Sequence, residues 1–455
     1  MLMRKRVAPG VVRHEGDSRS RHQRRLGLST RSTRVLVVAA AVVAALVLAA
    51  CGSSSSSTSS SSSSSASTSS GSSASKPSGS PIKTFTVTSI QAQDVPTYPN
   101  IKETAVAYEK WINGKGGING HPLEITVCDD RGEPTQATKC AREGVENGAV
   151  AGVGSFSFFG ANIVPVLEKS KTAWFGICCA QSAPELTSKI SFPTGSQPAY
   201  GAAAIAKAYE EGCKHVNAVI VEGAQAVFEP VMKNAAKAYG QTIGKFINLP
   251  TTVKDYSPQV AEALSGNADC VAVIFGESLF KAWMPAWAQS GTKARMYGAQ
   301  GNLDEVGIKG FESAANGSIV AGVYPDLSTA PWKEMREALK AAKVNEAYDY
   351  NSLSALGDWN GYVAFTKIVE KMTGPINHET FLAAASKTSN LETNGQVPTL
   401  DFTKEWTEGP KGYNRLFNRS SAFDKIVNGK TVPDTEKLYD GTQLMLGTGK
   451  LAAGV

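Results

Sequence analysis

The sequence predicts an α/β protein in two halves, each built on a parallel sheet, and three observations carry that prediction. From residue 82 onward, short apolar runs alternate with amphipathic helical patterns, the arrangement of a parallel sheet covered on both faces. The alternation restarts after a long helical pattern that begins near Pro198. At 455 residues, 42% of them hydrophobic, the chain is globular in composition and too long for one typical domain.

The N-terminal segment is read as an address. Residues 1–50 hold ten basic side chains, among them Arg4, Lys5, Arg24 and Arg25, against only Glu15 and Asp17. The whole chain is +6, so this segment's +8 leaves 36 basic and 38 acidic residues elsewhere, or −2. A near-neutral remainder argues against a phosphate-binding surface and hence against nucleic acid. Val35 to Ala50 run VLVVAAAVVAALVLAA, sixteen uncharged residues, where a membrane span needs roughly 20. A basic region, an apolar core and small residues at its end describe an export signal. Leu48-Ala49-Ala50-Cys51 resembles the lipobox of bacterial lipoproteins, by which Cys51 would be lipidated and become the mature N-terminus. A plain signal or a short anchor helix is the alternative. From Cys51 to residue 80 the chain is almost all Ser with Gly, Thr and Ala. Such a stretch cannot offset its ordering entropy by burial, so it reads as a disordered tether reaching roughly 30 Å.

Each later element follows from its pattern. KTFTVTSI is the first strand, and Ile101, Ala105, Tyr108 and Ile112 then share one helix face. LEITVC, AVAGVGSF and TAWFGI follow as strands, each after one amphipathic helix. The long helix near Pro198 has Ala202, Ile205, Ala206 and Tyr209 as its apolar stripe. VNAVIV, KFINLP, CVAVIF and RMYGA form the second set of strands. Beyond Tyr324-Pro325 the pattern turns helical over 332–343, 352–373 and 378–388, and it ends loop-rich with a few strand candidates.

Six cysteines remain after Cys51, and outside the cytosol an even number favours disulfides. Cys128 ends a strand and Cys140 lies on the following helix; closing that loop stabilises by about 3 kcal/mol. Cys213 and Cys270 each precede a strand of the second half, and both thiols reach bridging distance if those strands are neighbours. Cys178-Cys179 either form a vicinal disulfide or stay reduced. No Cys/His spacing points to a metal, and nothing calls for a cofactor.

In open parallel sheets ligands bind at the carboxyl ends of the strands. The loops concerned are Gly154–Gly160, Cys178–Glu185, Glu222–Phe228, Gly276–Leu279 and Gly298–Asn302. GVGSFSFFG departs from a phosphate loop, with Phe156, Phe158 and Phe159 where a phosphate needs free amides. It suits an apolar pocket rim or ordinary core packing. No Gly-x-Ser-x-Gly elbow and no His-Glu-x-x-His is present. His121, His215 and His378 are scattered and read as surface or capping residues. Asp129-Asp130 follows a strand and could hold a metal, but no partner ligands lie nearby in sequence, and the pair reads as surface or hinge polar contacts. Phe280, Trp283, Met284 and Trp287 have the spacing of a buried helix stripe. None of this asks for an enzyme.

Taken in order, GGINGHPLEITVCDDRGEPTQATKCA, VAGVGSFSFFGANIVPVLEKSKTAWFG, the APELT turn at Ala183–Thr187, FGES and YGAQG carry a family resemblance. Over residues 82–455 the chain resembles the substrate-binding lipoproteins of branched-chain amino-acid type ABC importers, of the type I periplasmic binding protein fold. The resemblance implies two Rossmann-like lobes joined by a three-segment hinge, with crossings near 195–200, 322–326 and 415–421. The lobes would be 82–199 plus 325–417 and 200–324 plus 418–455, following a signal over 1–50 and a lipidated tether over 51–80.

By the same resemblance the first-lobe loops that hold a ligand carboxylate correspond to Ser157 and Phe158, and to Ala180 and Ser182. From the second lobe come Ser278, where the family has an aromatic, Gln300, where it has an acid that pairs with an ammonium, and Phe228. A neutral Gln300 cannot form that charge-assisted bond. The expected solute is therefore an aromatic or amide-bearing organic acid rather than a simple branched-chain amino acid. The implied protein is a monomeric, lipid-anchored receptor on the extracytoplasmic face, delivering a small solute to an ABC permease after hinge closure. A sensory ectodomain working with a membrane signalling protein is the second reading. An exported α/β hydrolase is the third, and it lacks a recognisable nucleophile site.

Overall fold

Fourteen strands and thirteen helices, in two sheets, make up the part of the chain that is described. The computed structural model describes residues 76–454, apart from Asp94 and Glu436. The signal, Cys51 and all but the end of the Ser-rich tether lie outside the described residues. Those described belong to one compact unit.

The first sheet takes β1 (Ile82–Thr88), β2 (Leu123–Asp129), β3 (Ala151–Val153), β4 (Ala173–Phe175) and β5 (Ser191–Phe192). Its order is β2-β1-β3-β4-β5, with every pair parallel. Its helices are α1 (Pro99–Gly114), α2 (Pro134–Glu146), α3 (Gly160–Ser170) and α4 (Ala183–Thr187). As the apolar spacing predicts, Ile101, Ala105, Tyr108 and Ile112 are the buried face of α1.

The chain then crosses through Thr194 into α5 (Gln197–Glu210), which opens the second sheet. There β6 (Val216–Val221), α6 (Gln225–Ala238), β7 (Phe246–Leu249), α7 (Ser257–Ala263), β8 (Cys270–Ile274), α8 (Glu277–Gln289), β9 (Arg295–Ala299), α9 (Glu312–Ala315) and β10 (Ile319–Gly322) follow. The five strands from β6 to β10 pair in parallel. In β8, Ala272 and Ile274 face one apolar cluster while Val271 and Val273 face another. A strand buried on both sides has no polar face to show, which is why the segment reads as a continuous apolar run. Phe280, Trp283, Met284 and Trp287 fill the second cluster, as their spacing predicts. Tyr209, expected in the apolar stripe of α5, is only half-buried, because its ring lies at the helix end against Tyr239.

From β10 the chain passes through Tyr324 and a 3-10 turn (Ala330–Trp332) into α10 (Lys333–Ala342), α11 (Leu353–Val369) and α12 (His378–Ser386) beside the first sheet. Helix α11 is buried nearly all round. Two glycines let it approach: Gly176, at φ 65°, meets Gly361, and Gly154, at φ 64°, meets Asp358. A third passage through Asn418 leads to β11 (Ser420–Val427), which pairs antiparallel with β10. The chain ends with β12 (Lys430–Pro433), β13 (Tyr439–Asp440), α13 (Thr442–Leu446) and β14 (Ala452–Ala453).

All six described cysteines are bridged. Cys128–Cys140 and Cys213–Cys270 have Cα separations of 5.7 and 6.0 Å. The second bridge forms because β6 and β8 are neighbours, with Val216 opposite Cys270. Cys178 and Cys179 form the vicinal disulfide. Among the described residues, no helix is long and apolar enough to cross a membrane.

Candidate functional site

A cleft of about 400 Å³ opens where the carboxyl ends of the two sheets face each other. All five strand-end loops singled out from the sequence contribute to it, through Phe158, Gln181, Glu222, Gly276 and Asn302 among others. Two further regions were not singled out from the sequence. Val95, Pro96 and Tyr98 come from the segment after β1, which the same strand-end rule covers. Ser352, Leu353 and Ser354 come from the start of α11, which follows no strand. Gln197 and Tyr200 lie on the first turn of α5, just past the first crossing.

The walls are aromatic. On the first-sheet side, Tyr98 meets Phe156 edge-on with ring centres 4.5 Å apart, and Phe158 lies 5.3 Å from Phe156. Opposite them, Tyr200 packs on Phe228 at 5.4 Å, and Phe275 closes the end of β8. Burial pushes the phenols of Tyr98 and Tyr200 well above the usual tyrosine range, so both stay neutral donors. Glu222, exposed at the rim, is the single carboxylate among the described lining residues, and no Lys or Arg is among them. The electropositive features that remain are the N-terminal ends of α5, α6, α8 and α11, which all begin at the cleft.

Four carboxamide residues line this space, Gln181, Gln197, Gln300 and Asn302, and Gln197 and Gln300 are buried. The Gln300 side-chain nitrogen donates to the Tyr324 carbonyl at 3.3 Å, while its oxygen is buried without a partner. The Gln197 side-chain oxygen is likewise buried and unpaired. The two residues are 2% and 8% exposed. Both oxygens are shut off from the open cleft, that of Gln300 lying over Gly322, and leaving such an oxygen dry costs about 1–3 kcal/mol.

The structure distributes the residues expected at the site unevenly. Phe158, Phe228 and Gln300 line the cleft. Ser157 does not: its hydroxyl donates to buried Asp130 at 2.5 Å, and Asp130 also accepts from Ser89 at 2.6 Å. Asp130 is thus fully buried rather than at the surface, and with Asp129, which accepts from the Ile90 and Arg131 amides, it organises the loops after β1 and β2. Ser182 lies outside the cleft because it starts α4, donating its hydroxyl to Glu185 at 2.8 Å. Ala180 is buried beside the cleft, whose wall in that loop is Cys179 and Gln181. Ser278 is exposed on α8 and borders a neighbouring crevice. Phe159 precedes α3 and packs into the core instead. Gln181 and Asn302, which do line the cleft, lie one and two residues from Ser182 and Gln300 in the same strand-end loops, so the loops were legible and the register within them was not.

One group, Cys213, Asp269 and Cys270, brings metal-type ligand atoms together among the described residues. Its two sulfurs are bonded to each other and offer no thiolate. Among the described residues that line the cleft there is no His or Lys to act as a base beside a nucleophile.

Comparisons with known proteins agree with this architecture. A family model described as periplasmic binding protein matches residues 93–409. No curated protein matches the sequence. Among solved structures, a possible leucine/isoleucine/valine-binding protein from Rhodopirellula baltica SH 1 is similar, with TM-score 0.67 and 13% identity, over 79% of this chain and 97% of that one. A fatty acid ABC transporter substrate-binding protein from Thermomonospora curvata has TM-score 0.66 and 18% identity, over 82% and 95%. An ABC transporter solute-binding protein from R. palustris, in complex with 4-hydroxybenzoate, has TM-score 0.63 and 17% identity, over 80% and 97%.

Proposed function

We propose that this chain, which belongs to the periplasmic binding protein family, is the solute receptor of an ABC importer. The fold has the two lobes of that family's type I architecture, and the cleft lies between their facing strand ends. In this reading the lobes are 82–199 plus 325–417 and 200–324 plus 418–455. Closure about the three crossings buries the solute, and the closed form is what the permease accepts. The signal over 1–50, lipidation at Cys51 and the Ser-rich tether would hold the monomer at the extracytoplasmic face.

The solute is a small aromatic or otherwise apolar molecule that carries a carboxyl or amide group. One observation carries this choice: the cleft is walled by six aromatic rings, has the carboxamide residues Gln197 and Gln300 in its lining, and is lined by no basic side chain among the described residues. An apolar body is favoured by area buried. An amide on its polar end would pair with the carboxamides of the lining, while a carboxylate would rest on helix N-termini and the neutral phenols. A simple amino acid would leave its ammonium facing Gln300 without a partner carboxylate.

A thermal-shift screen of the purified protein against amino acids, aromatic acids, amides and sugars tests the proposal. A true ligand at 100 times its dissociation constant adds about 2.7 kcal/mol, a shift of a few degrees for a chain of this size. Shifts confined to aromatic acids and amides are expected; a broad panel with no shift contradicts the receptor reading.

A further inference from the structure

We infer that the Cys178–Cys179 disulfide is a wall of the solute cleft and a strut that ties this wall to the hinge. The inference rests on the solute-receptor reading for the first half and on geometry alone for the second. Cys179 lines the cleft next to Gln181. Cys178, one residue earlier, faces the other way, into the crossings. A β-carbon added at Gly195, in the first crossing, would collide with the Cys178 carbonyl, and one added at Gly357 of α11 would collide with the Cys178 β-carbon. The Tyr324 hydroxyl, from the second crossing, lies beside both glycine positions. The main-chain amides of Thr194 and Gly195 donate to the Ile177 carbonyl at 3.2 and 3.3 Å, which fastens the same loop to the first crossing. Residues at the cleft and at the hinge are thus joined through one small covalent ring.

Global stability does not account for this bridge. Chain-entropy gain grows with the length of loop closed. The other two bridges join residues 12 and 57 apart in sequence, whereas this one joins neighbours. What it can do is remove backbone freedom at a single point, where the loop after β4 turns from hinge to cleft. Both cysteines are buried, at 1% and 4% exposure. Sulfur is polarizable and favours aromatic faces, so the ring offers an apolar plate to the body of an aromatic solute. Opening it takes two electrons and two protons: a phosphine reductant breaks the S–S bond, takes an oxygen from water and leaves two thiols.

The test compares the native protein, the same protein treated with a water-soluble phosphine, and the double variant C178A/C179A. The double variant C128A/C140A is the control. Alkylation and mass spectrometry establish which bridges are open. Calorimetry uses 4-hydroxybenzoate, phenylacetate and benzamide as probes, and hydrogen exchange follows the amides of Gly176–Gln181 and Thr194–Gly195 without ligand. In C178A/C179A we expect probe affinity to fall about tenfold or more, exchange to quicken in both segments, and the melting temperature to move little. The control should lose melting temperature and keep affinity. Unchanged exchange in both segments would overturn the strut whether or not a probe binds, and unchanged affinity with faster exchange would overturn the wall. A native protein that binds none of the probes while exchange still quickens would count against the solute reading and leave the strut standing.

Discussion

The side-chain amide of Asn418 donates to the main-chain carbonyl of Thr194 at 2.9 Å, so the third crossing between the lobes is pinned to the first. The Asn418 oxygen meanwhile accepts from the Ser420 amide at 2.9 Å and from its hydroxyl at 2.7 Å. All of these groups are buried. The Asn418→Ala variant leaves a carbonyl, an amide and a hydroxyl without partners, at about 1–3 kcal/mol. Denaturant unfolding should show a lower midpoint at unchanged slope. A variant as stable as the native protein would mean that the pin contributes nothing.

Phe175 is the centre of an aromatic cluster in the first lobe, with Phe381 at 5.2 Å, Phe402 at 5.7 Å and Phe192 at 6.0 Å. It is fully buried. Phe175→Ala should therefore cost about 3–5 kcal/mol, because the segments that carry these three rings cannot all collapse into the space. Thermal and chemical unfolding read this directly; a loss below about 1 kcal/mol would show the cluster to be loosely packed.

A group of acids beside the hinge makes stability fall as pH rises. Asp424 on β11 is 3% exposed. Burial first, and then the charge of Asp326, pushes its carboxyl up to about 8. Asn351 bridges the group, donating to Asp326 at 2.7 Å. Asp349 also faces Asp424, as does Asp434, which is itself paired with Lys207 at 2.7 Å. An unfolded aspartate titrates near 4, so between about pH 4 and 8 the native state holds a proton that the unfolded state has released. Stability is therefore highest at the acidic end of that window and is lost toward pH 8, by at most about 1.4 kcal/mol per pH unit for this group. Asp424→Asn should flatten the profile between pH 5 and 8. An identical slope in variant and native protein would assign the titration elsewhere.

How much of this was legible in the sequence depends on how local each signal is. Strand and helix order followed from periodicity, since Val271 and Val273 against Ala272 and Ile274 mark a strand buried on both faces. The Cys213–Cys270 pairing followed from strand adjacency. Five cleft loops were identified because the strand-end rule acts residue by residue along the chain. The serines were misplaced for a physical reason: a hydroxyl satisfies whichever acceptor is nearest, and for Ser157 and Ser182 those are Asp130 and Glu185. The contribution of α11 was invisible, because Ser352 reaches the cleft through a return of the chain across the hinge, and nothing near it in sequence encodes that return.

On the proposed function, this cleft takes an aromatic or amide-bearing solute and rejects a simple branched-chain amino acid. Calorimetric titration of the native protein and of Gln300→Ala with 4-hydroxybenzoate, benzamide, leucine and valine tests it most directly. An aromatic probe should bind with a negative heat-capacity change, more weakly in Gln300→Ala, and leucine and valine should give no measurable heat. Tight leucine or valine binding that disappears in Gln300→Ala would contradict it.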